Sequence, residues 1–408
     1  MGEDKKALLV VQKYGGTSVA TLERIRMVAR RVKESCDDGK GVVVVVSAQA
    51  GETERLVRLA EGFDAADADR ETDVIVSTGE QVSAGLLSLA LLELGVRARS
   101  LLPFQIPLIT DGVYRRGRII SIAADTIKRL VEEGLIPVIP GFFGISENLD
   151  ITTLGRGSSD TVAVAVAAAI GADLCEICSD VDGVYTADPK ICRNAKKIDR
   201  ISYEEMLEIA GSGAKVVEMR AVELAAKHRL PIHIASSFSR KDGTWVLSHQ
   251  TLEAPVVSAI THTLDEAKIA VRRVPDYAGL AAHVFEPLAR ENINVDMIVQ
   301  NISADERTDI AFTVSKHALK RALAITERAA ARIGAERVEA AGDVAKISII
   351  GLGMISHAGV AAKMFDTLRK EGIGIHLIST SEIKVSVVVD MKDVERAVSS
   401  LHSAFGLA

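Results

Sequence analysis

Residues 42–46 are five consecutive valines, and this run constrains the fold of the 408-residue chain more than any other feature. Valine favours strands, and a strand that is apolar at every position must be buried on both faces. Over residues 1–250, further apolar runs alternate with helical patterns, which is typical of a mostly parallel sheet covered by helices. Such sheets bind ligands at the carboxyl ends of their strands, so we expect a site in the loops that follow the strands.

Lysine, glycine and hydroxyl residues cluster where the first apolar run ends. Residues 7–11 are apolar, the sequence KYGGTS follows at residues 13–18, and a helical pattern comes next. Gly15 and Gly16 let main-chain N–H groups approach an anion, the helix N-terminus adds positive potential, and Lys13 adds a full charge. These features favour a phosphate site, and an ordinary strand–helix turn with a surface lysine is the alternative. The string G-x-x-x-x-G-K-[ST] does not occur, so this is not a Walker A loop.

The loops after two later strands carry further candidate side chains. Ser47 follows the valine run directly, and Thr53 lies in the loop beyond it. A buried run at residues 135–139 leads into a segment at residues 140–144 that we predict to be a loop. Ligand groups are expected at this edge of a parallel sheet.

A second motif, TTLGRGSSD at residues 152–160, precedes a helical run of small residues. Ser159 and Asp160 fall at the predicted capping positions of that helix, so one interpretation is an N-cap with an arginine nearby. That interpretation leaves the glycines on both sides of Arg156 unexplained. They free the backbone to approach a ligand, and a guanidinium can bind a carboxylate through two hydrogen bonds. We therefore favour a functional loop.

Residues 179–190 follow a short strand at residues 174–177 and form an acidic loop, SDVDGVYTADPK. The loop is not an EF-hand, because its glycine is misplaced and no glutamate ends it. A solvated acidic turn and a nucleotide-contacting loop both remain open. Lys215 follows the sequence GSG at residues 211–213 and is a second candidate cation for a transferred phosphate.

The last third of the chain contains an internal repeat. The sequence AGLAAHVF at residues 278–285 matches AGVAAKMF at residues 358–365, and later apolar positions keep the same offset. Each copy reads as a strand, a loop, an amphipathic helix and another strand, which predicts two related βαβ units. Gly351 and Gly353 have the spacing of a dinucleotide fingerprint, but Ser356 stands where its third glycine would be.

Composition and charge exclude several functions. A formal net charge of −6 leaves no broad basic surface for nucleic acid. The N-terminal residues carry mixed charge before a short apolar run, which matches neither a signal peptide nor a membrane span. The four cysteines lack zinc-site spacing, and we interpret them as reduced thiols of a cytoplasmic protein. The nine histidines form no catalytic triad or metal-binding pattern, so we expect no metal held by protein side chains.

The motifs at residues 13–18, 153–160 and 179–190, in this order, resemble those of the aspartate kinases in the amino acid kinase superfamily, and the two C-terminal copies resemble tandem ACT domains. The resemblance implies an α/β protein with a three-layer amino acid kinase fold around a mostly parallel open sheet, followed by two ferredoxin-like ACT domains. The implied boundaries are 1–250 for the kinase domain, 264–341 for the first ACT domain, and 256–263 with 342–408 for the second. Ser158 departs from the family, which usually has a glycine there, and so does Glu52, where relatives often have threonine.

The resemblance implies ATP-dependent phosphorylation of the β-carboxylate of L-aspartate, the first step towards lysine, threonine and methionine, with Mg²⁺ carried by the nucleotide. It implies catalytic roles for Lys13, Asp160 and Lys215. The residues that it implies for ATP are Lys13, Tyr14, Gly15, Gly16, Ser179, Asp180, Tyr185, Asp188, Lys190, Lys215 and Val216. Those implied for aspartate are Ser47, Thr53, Phe142, Ser159 and Asp160, together with Glu80 for the α-ammonium group and Arg156 for the α-carboxylate.

The resemblance also implies feedback by lysine, threonine or both at the ACT domains, and a homodimer or higher homo-oligomer formed through them. The implied effector residues are Asp276, Ala278, Gly279, Asn294, Asp296 and Gln300 in the first copy, and Ser356, His357, Ile375, Thr380, Ser381 and Glu382 in the second. A separate ACT-only subunit, which some relatives have, stays open as a partner: no methionine lies between Met219 and Met297, but a start codon other than that of methionine would serve. Three alternatives are a kinase for glutamate or its N-acetyl derivative, a non-catalytic amino-acid sensor, and ACT copies that only dimerise.

Overall fold

The structure, a computed structural model, describes residues 7–65, 68–214, 216–248, 255–302 and 307–408. The chain forms two compact units. The N-terminal unit comprises residues 1–184, 197–210 and 215–250, and the C-terminal unit comprises residues 185–196, 211–214 and 251–408. Residues 185–196 therefore leave the N-terminal unit and return to it. The continuous domain boundaries implied by the resemblance stay a prediction.

Strands of the N-terminal unit form one large sheet and one small sheet. They are β1 (Leu9–Tyr14), β2 (Gly41–Val46), β3 (Ala98–Ser100), β4 (Leu108–Thr110), β5 (Ile119–Ile122), β6 (Ile136–Pro140), β7 (Phe143–Ile145), β8 (Ile151–Thr153), β9 (Leu174–Ser179), β10 (Arg200–Ser202), β11 (Ile232–Ser236) and β12 (Thr244–Leu247). The large sheet has the order β10-β12-β11-β9-β1-β2-β6-β3, and all of its neighbours are parallel except β11 and β12. The predicted mostly parallel sheet is confirmed.

Helices cover both faces of the large sheet. The helices of this unit are α1 (Leu22–Asp37), α2 (Glu52–Ala60), α3 (Asp69–Glu93), α4 (Asp125–Glu132), α5 (Ser158–Ile170), α6 (Tyr203–Gly211) and α7 (Met219–His228), of which α1, α3, α4 and α5 contact the strands of this sheet. Val42, Val44 and Val46 of β2 pack in one core with residues of α1 and α3. Val43 and Val45 are equally buried and point to the opposite face, which α5 covers. The valine run is apolar throughout because helices pack on both of its faces.

Helix α3 is, among the described residues, the one helix long and apolar enough to cross a membrane. In the most apolar 18-residue stretch of this helix, 56% is buried inside the protein. Helix α3 packs against α1 and the large sheet. Its length and hydropathy are therefore those of a packed core helix.

The small sheet corrects one expectation from the sequence. Its strands have the order β5-β4-β7-β8, and Phe143 of β7 pairs with Thr153 of β8. Residues 143–144, which we predicted to be part of a loop, therefore lie in a strand. Strands of three residues are too short to show an alternating pattern, so the sequence carries no signal for them.

The C-terminal unit contains one antiparallel sheet with helices on it. Its elements are β13 (Ala259–Pro275), α8 (Leu280–Arg290), β14 (Ile298–Ile302), β15 (Arg307–Val314), α9 (Leu319–Arg332), β16 (Arg337–Ile350), α10 (Val360–Lys370), β17 (Leu377–Thr380), β18 (Lys384–Asp390) and α11 (Val394–Ala404). The strand order is β14-β15-β13-β16-β18-β17. Gly279 and Gly359 are the N-caps of α8 and α10, with φ of 93° and 92°. The same left-handed cap at equivalent positions confirms the repeat.

Strand β13 joins the two copies. Its first part, residues 259–263, pairs with β16 only, residues 268–271 pair with both β16 and β15, and residues 274–275 pair with β15 only. The predicted strand near residues 256–263 and the predicted opening strand of the first copy, at residues 267–271, are thus one continuous strand. Irregular pairing around Glu266 marks the junction between its two parts.

Candidate active site

Lys13 and Asp160 form a buried ion pair where β1 ends and α5 begins. The distance from Lys13 Nζ to Asp160 Oδ1 is 2.6 Å, and the side chains are only 11% and 9% exposed. Asp160 Oδ2 accepts a hydrogen bond from the main-chain N–H of Glu218 at 3.1 Å. The N-cap of α5 is Gly157, so the expectation that Ser159 and Asp160 occupy the capping positions is wrong. The aspartate side chain holds the lysine ammonium group at the sheet edge.

Glu218 extends this network and was not singled out from the sequence. It is the N-cap of α7, and its Oε2 accepts hydrogen bonds from the main-chain N–H of Ala221 and from Thr161 Oγ1, at 3.1 and 2.6 Å. The network therefore ties β1, α5 and α7 together around Lys13. No local pattern marks a glutamate as the partner of a residue 57 positions earlier in the chain.

The glycine pair after β1 has a packing role in this structure. A Cβ atom on Gly16 would lie 2.8 Å from the carbonyl oxygen of Ala48, so no side chain fits there. The main-chain N–H of Gly15 donates to the carbonyl of Cys178 at 3.2 Å. The loops after β1 and β2 approach each other at Gly16, and β9 lies beside Gly15. Gly16 thus lets the loops after β1 and β2 meet, and the hydrogen bond of Gly15 joins them to β9, which puts Lys13 beside all three strand ends.

Tyr14 is placed differently from its neighbours. Its side chain is fully buried among residues of α1 and α3, and its hydroxyl donates to Gln12 Oε1 at 3.2 Å. Burial raises the pKa of this phenol well above its usual value. Its carbonyl oxygen accepts a hydrogen bond from the main-chain N–H of Ser47. Any contact of Tyr14 with a nucleotide would therefore have to use main-chain atoms.

Glu80 of α3 is a buried carboxylate with one oxygen unused. Its Oε1 accepts a hydrogen bond from the main-chain N–H of Ala48 at 3.0 Å, and its Oε2 has no hydrogen-bond partner among the described residues. Burial raises its pKa to about 7, although the bond from Ala48 acts in the opposite direction. A buried carboxylate without a cation is costly, so this group is suited to a cationic ligand.

Ser47, Ser159 and the loop after β6 converge on the same edge. The Ser47 hydroxyl donates to Ser159 Oγ at 2.9 Å, and a Cβ atom on Gly141 would lie 2.8 Å from Ser159 Cβ. The main chain of the next residue, Phe142, accepts a hydrogen bond from Leu154, and its side chain is half-buried. Thr53, also half-buried, lies in the first turn of α2, so the expectation that it belongs to a loop is wrong. Ends of β2 and β6 and the start of α5 are thus brought together.

Arg156 lies exposed in the loop before α5. The glycines on either side have φ of 90° and 80°, a left-handed conformation that strongly favours glycine. Its guanidinium has no ion-pair or hydrogen-bond partner in the part of the chain that the structure describes. Ser158, the departure from the family pattern, is buried as the first residue of α5. The loop therefore presents a free cation next to Asp160.

Asp73 supports this loop and was also missed. Although it lies fully buried on α3, its carboxylate accepts hydrogen bonds from the main-chain N–H groups of Arg115 and Thr153, both at 2.8 Å, and from Thr153 Oγ1 at 2.7 Å. An acidic residue in the buried part of a helix was the available signal. It fixes the strand that leads into the Arg156 loop.

The residues expected to hold the nucleoside are divided between the units. Ser179 ends β9, and its carbonyl accepts a hydrogen bond from the main-chain N–H of Ser237. Asp180 follows it and is exposed, and Val216 is half-buried. The remaining expected residues, Tyr185, Asp188 and Lys190, belong to the C-terminal unit. Lys215 lies outside the described residues.

The two sets of expected effector residues differ in how close together their members lie within one chain. Asp276, Ala278 and Gly279 follow the end of β13, but Asn294 and Asp296 precede β14 at the opposite end of the strands, and Gln300 lies within β14. In the second copy, Thr380, Ser381 and Glu382 form the β17–β18 turn, and Gly351, which opens the loop containing Ser356 and His357, donates to Ile383 there. Ile375 lies at the other end, before β17. One chain therefore does not assemble the first set.

Asp296 already has a partner within the chain. Its carboxylate is bonded by the ammonium group of Lys346, which is buried on β16. The Lys346 Nζ atom also lies 3.9 Å from Glu266 Oε2. Over the described ranges, no group of three or more His, Cys, Asp and Glu side chains is arranged to hold a metal ion.

Comparison with known proteins gives the family. Residues 9–236 match the amino acid kinase family, and residues 269–329 and 347–405 match the ACT domain. The chain is 49% identical to the aspartate kinase of Stutzerimonas stutzeri over 403 residues, which cover 98% of this chain and 97% of that protein. It is also 49% identical to the aspartokinase of Pseudomonas aeruginosa over 404 residues, 98% of each. The chain belongs to the aspartokinase family.

Solved aspartokinases share this fold. E. coli aspartokinase III in complex with aspartate and ADP matches with a TM-score of 0.82 and 27% identity, over 97% of this chain and 99% of that one. The same E. coli enzyme in complex with lysine and aspartate matches with a TM-score of 0.78 and 28% identity, over 98% and 99%. The resemblance on which the expected fold depended is confirmed, and aspartate kinase activity with ATP follows from membership of the family.

Proposed function

We propose that this aspartokinase transfers the γ-phosphoryl group of MgATP to the β-carboxylate of L-aspartate. An oxygen of the carboxylate attacks the γ-phosphorus, the bond from phosphorus to the bridging oxygen breaks, and 4-phospho-L-aspartate and ADP form. The carboxylate is already ionised at neutral pH, because its ordinary pKa is about 3.9. No general base is needed, so the protein has to align two anions and offset their charge.

The unpartnered carboxylate oxygen of Glu80 is the observation that carries the choice of substrate. A buried carboxylate with a pKa raised to about 7 and no cation beside it binds an ammonium group well, because the ligand supplies the missing charge and hydrogen bond. Arg156 complements it, since an unpaired guanidinium binds a carboxylate through two hydrogen bonds. We assign Glu80 to the α-ammonium group of aspartate and Arg156 to its α-carboxylate, with Ser47, Thr53, Phe142 and Ser159 around them.

Lys13 and Asp160 supply the charge for phosphoryl transfer. The lysine ammonium group would offset the charge of the transferred phosphate, and Asp160 holds that group in position through the 2.6 Å contact. Lys215 is assigned a similar role and Val216 a contact beside it. We assign the ATP phosphates to the loop of Gly15 and Gly16, with Tyr14 through its main chain, and the nucleoside to Ser179, Asp180, Tyr185, Asp188 and Lys190.

We propose that lysine, threonine or both act as feedback effectors on the C-terminal unit. The ACT matches support this, as does the lysine complex of the E. coli enzyme. Because the first effector set lies at two opposite ends of one chain's strands, a homo-oligomer would have to complete it. The second set is gathered within one chain, apart from Ile375.

Aspartyl hydroxamate formation tests the proposal directly. Hydroxylamine traps the acyl phosphate, so the purified protein is assayed with MgATP and L-aspartate, with L-glutamate as the matched substrate control. We expect hydroxamate to form with MgATP and L-aspartate, and not with MgATP and L-glutamate. Equal turnover with glutamate, or none with either, would overturn the assignment. Adding lysine and threonine singly and then together identifies the effector from the inhibition pattern.

A further inference from the structure

One side of helix α3 is apolar and faces away from the core. Leu87 and Leu91 of this helix are buried in the core, whereas Val82, Leu89 and Leu92 are exposed over 53%, 64% and 52% of their surface. Residues three or four positions apart lie on the same side of a helix. The exposed positions therefore form one row, which we call the outer stripe of α3 and define as Ile75, Thr78, Val82, Gly85, Leu86, Leu89 and Leu92.

The outer stripe carries no charge. Glu80 is the single charged residue between residues 74 and 92, and its side chain is buried inside the protein. The outer side of a surface helix normally carries charged side chains that interact with water. The stripe instead runs for about 26 Å along the helix without one. A continuous exposed apolar surface of this kind marks an interaction site.

Gly85 lies at the centre of the stripe, and packing within the chain does not account for it. Glycine is less favourable than alanine inside a helix. A Cβ atom on Gly85 would meet no atom of the described residues within 4 Å, and the backbone there is not left-handed. Gly79 of the same helix differs, because a Cβ atom there would lie 2.9 Å from Ala48 Cβ. A glycine among large apolar side chains on a helix surface leaves room for the close approach of a second helix.

The stripe is nearly symmetric about Gly85, which favours a second copy of the same stripe as its partner. Val82 precedes the glycine by three residues and Leu89 follows it by four, and Thr78 and Leu92 lie seven residues away on either side. If two copies of α3 pack in opposite directions at Gly85, Val82 of one copy lies beside Leu89 of the other. Two-fold dimers use the same patch on both subunits in this way. Because the stripe is uncharged, the two copies do not repel each other.

Charged partners and membranes fit α3 less well. A helix that lies on a membrane surface has lysine and arginine residues along its polar side. Helix α3 has no lysine, and its one arginine, Arg70, already forms ion pairs with Glu71 and Asp150. A partner with a charged surface would bury its charges against the stripe without counter-charges, which is costly. An apolar helix is therefore the matching partner.

We propose that the outer stripe is a dimer interface, in which α3 of one chain packs antiparallel against α3 of a second copy about a two-fold axis at Gly85. The contact involves the N-terminal unit alone. It is therefore separate from the homo-oligomer proposed above for the C-terminal unit, and it does not depend on the reaction that the protein catalyses. The two contacts together would give tetramers.

A charge placed in the stripe tests the proposal. Leu89→Glu brings a carboxylate of each copy into the apolar contact, so in sedimentation equilibrium the full chain should have half the molar mass of the wild type at equal concentration. We expect the dissociation constant of the contact to rise at least about 100-fold. Gly85→Leu fills the centre of the stripe without adding charge and should weaken the contact too. Ile120→Glu is the control, because Ile120 on β5 is exposed to the same extent as Leu89, at 66%.

The control should keep the wild-type mass, and thermal unfolding checks that each variant is folded. Equal masses of the wild type and Leu89→Glu at every concentration would overturn the proposal. So would a wild type that binds vesicles of phosphatidylcholine and phosphatidylserine through the stripe without dimerising, because a membrane would then be the partner.

Cross-linking tests the antiparallel arrangement. The double variant Val82→Cys with Leu89→Cys places two thiols opposite each other across the axis, so mild oxidation should link two chains. Neither single variant should form a link, because the two copies of either position would lie about 10 Å apart along the helix, whereas a disulfide needs Cα atoms within about 7 Å. Wild type is the control for the native cysteines, which are buried or half-buried.

Links in the single variants that form as readily as in the double variant would contradict antiparallel packing, and the absence of links in the double variant would overturn the interface. The hydroxamate assay is independent of these results. It therefore tests the proposed function separately.

Discussion

Each unit contains a buried glutamate with one oxygen that has no hydrogen-bond partner among the described residues, Glu80 in the N-terminal unit and Glu266 in the C-terminal unit. Burial raises the pKa of both carboxyl groups. Near Glu266, the ammonium group of Lys346 lies 3.9 Å from Oε2. No lysine, arginine or histidine forms such a contact with Glu80 among the residues that the structure describes, and only a main-chain N–H bonds it.

This difference distinguishes a buried carboxylate that a lysine of the same chain stabilises from one that a cationic ligand could stabilise. A buried carboxylate is tolerated when a cation from the same chain offsets the cost of removing it from water. Lys346 provides that cation for Glu266 and bonds Asp296 as well. Glu80 has no such cation, and the main-chain bond from Ala48 offsets only part of the cost, so an ammonium group of a substrate would relieve the rest. The comparison therefore predicts opposite responses to substitution at the two sites.

Removing the cation of the C-terminal site should have the largest effect. Lys346→Met leaves Glu266 buried without a counter-charge and is expected to lower local stability by about 3–5 kcal/mol, the usual cost of breaking a buried ion pair. Native-state hydrogen exchange at the amides of β16 measures this change. The double variant Lys346→Met with Glu266→Gln should recover most of the loss. An equal loss in the double variant would contradict the pairing of these two side chains.

Removing the charge at Glu80 should raise the stability of the folded protein, whereas removing the cation at Lys346 lowers it. Between pH 4.5 and 7 the unfolded chain ionises Glu80 whereas the folded protein keeps it protonated, so wild-type stability falls over this range and stays lowered above it. Glu80→Gln avoids this cost and should be more stable by about 2–3 kcal/mol above pH 7, but not at pH 4. Hydrogen exchange at the amides of α3 reports the difference.

The same variant should lose substrate affinity. Without the carboxylate, the aspartate ammonium group loses a charge-assisted hydrogen bond, and the KM for aspartate should rise about 10- to 150-fold. Glu205→Gln is the control, because Glu205 is buried in the same unit but already accepts hydrogen bonds from Ser202. It should leave that KM unchanged. A stabilised Glu80→Gln variant with normal aspartate kinetics would show that Glu80 does not contact the substrate.

The features that can be predicted from the sequence differ between these parts of the molecule. The valines at 42–46 predict the centre of the sheet, because a strand buried on both faces must be apolar throughout. The repeat at residues 278–285 and 358–365 likewise predicts two equivalent helices, and the structure adds that each has a glycine N-cap. In both cases a local pattern and the tertiary packing require the same residues, so the pattern alone is sufficient.

Long-range pairing explains what the sequence does not show. The short strands β7 and β8 depend on each other, and the continuous strand β13 depends on β15 and β16, so neither has a complete local signal. The same holds for Glu218 and Asp73, whose partners lie far away in the chain. Tyr14 follows this rule too, because a strand buried on both faces gives no indication of which face each side chain takes.

The pH dependence of catalysis sharpens the assignment of Glu80. Binding an ammonium group needs the ionised carboxylate, so protonation below the pKa of about 7 should raise the KM for aspartate up to tenfold per pH unit. The kcat at saturating aspartate should change less over pH 6–8. In Glu80→Gln the KM should be independent of pH over this range. A wild-type KM that is flat from pH 6 to pH 8 would contradict an ionised Glu80 as the ammonium ligand.

The smallest effect is expected at Glu266, where the charge already has its partner. Glu266→Gln removes a carboxylate whose Oε1 lacks a hydrogen-bond partner and whose Oε2 is 3.9 Å from Lys346, while Asp296 still bonds that lysine. The lost attraction and the avoided desolvation largely cancel, so local stability should change by about 1 kcal/mol or less. Hydrogen exchange at β16 again provides the measurement, with Lys346→Met as the reference. A loss as large as that of Lys346→Met would mean that Glu266, and not Asp296, is the main partner of the buried lysine.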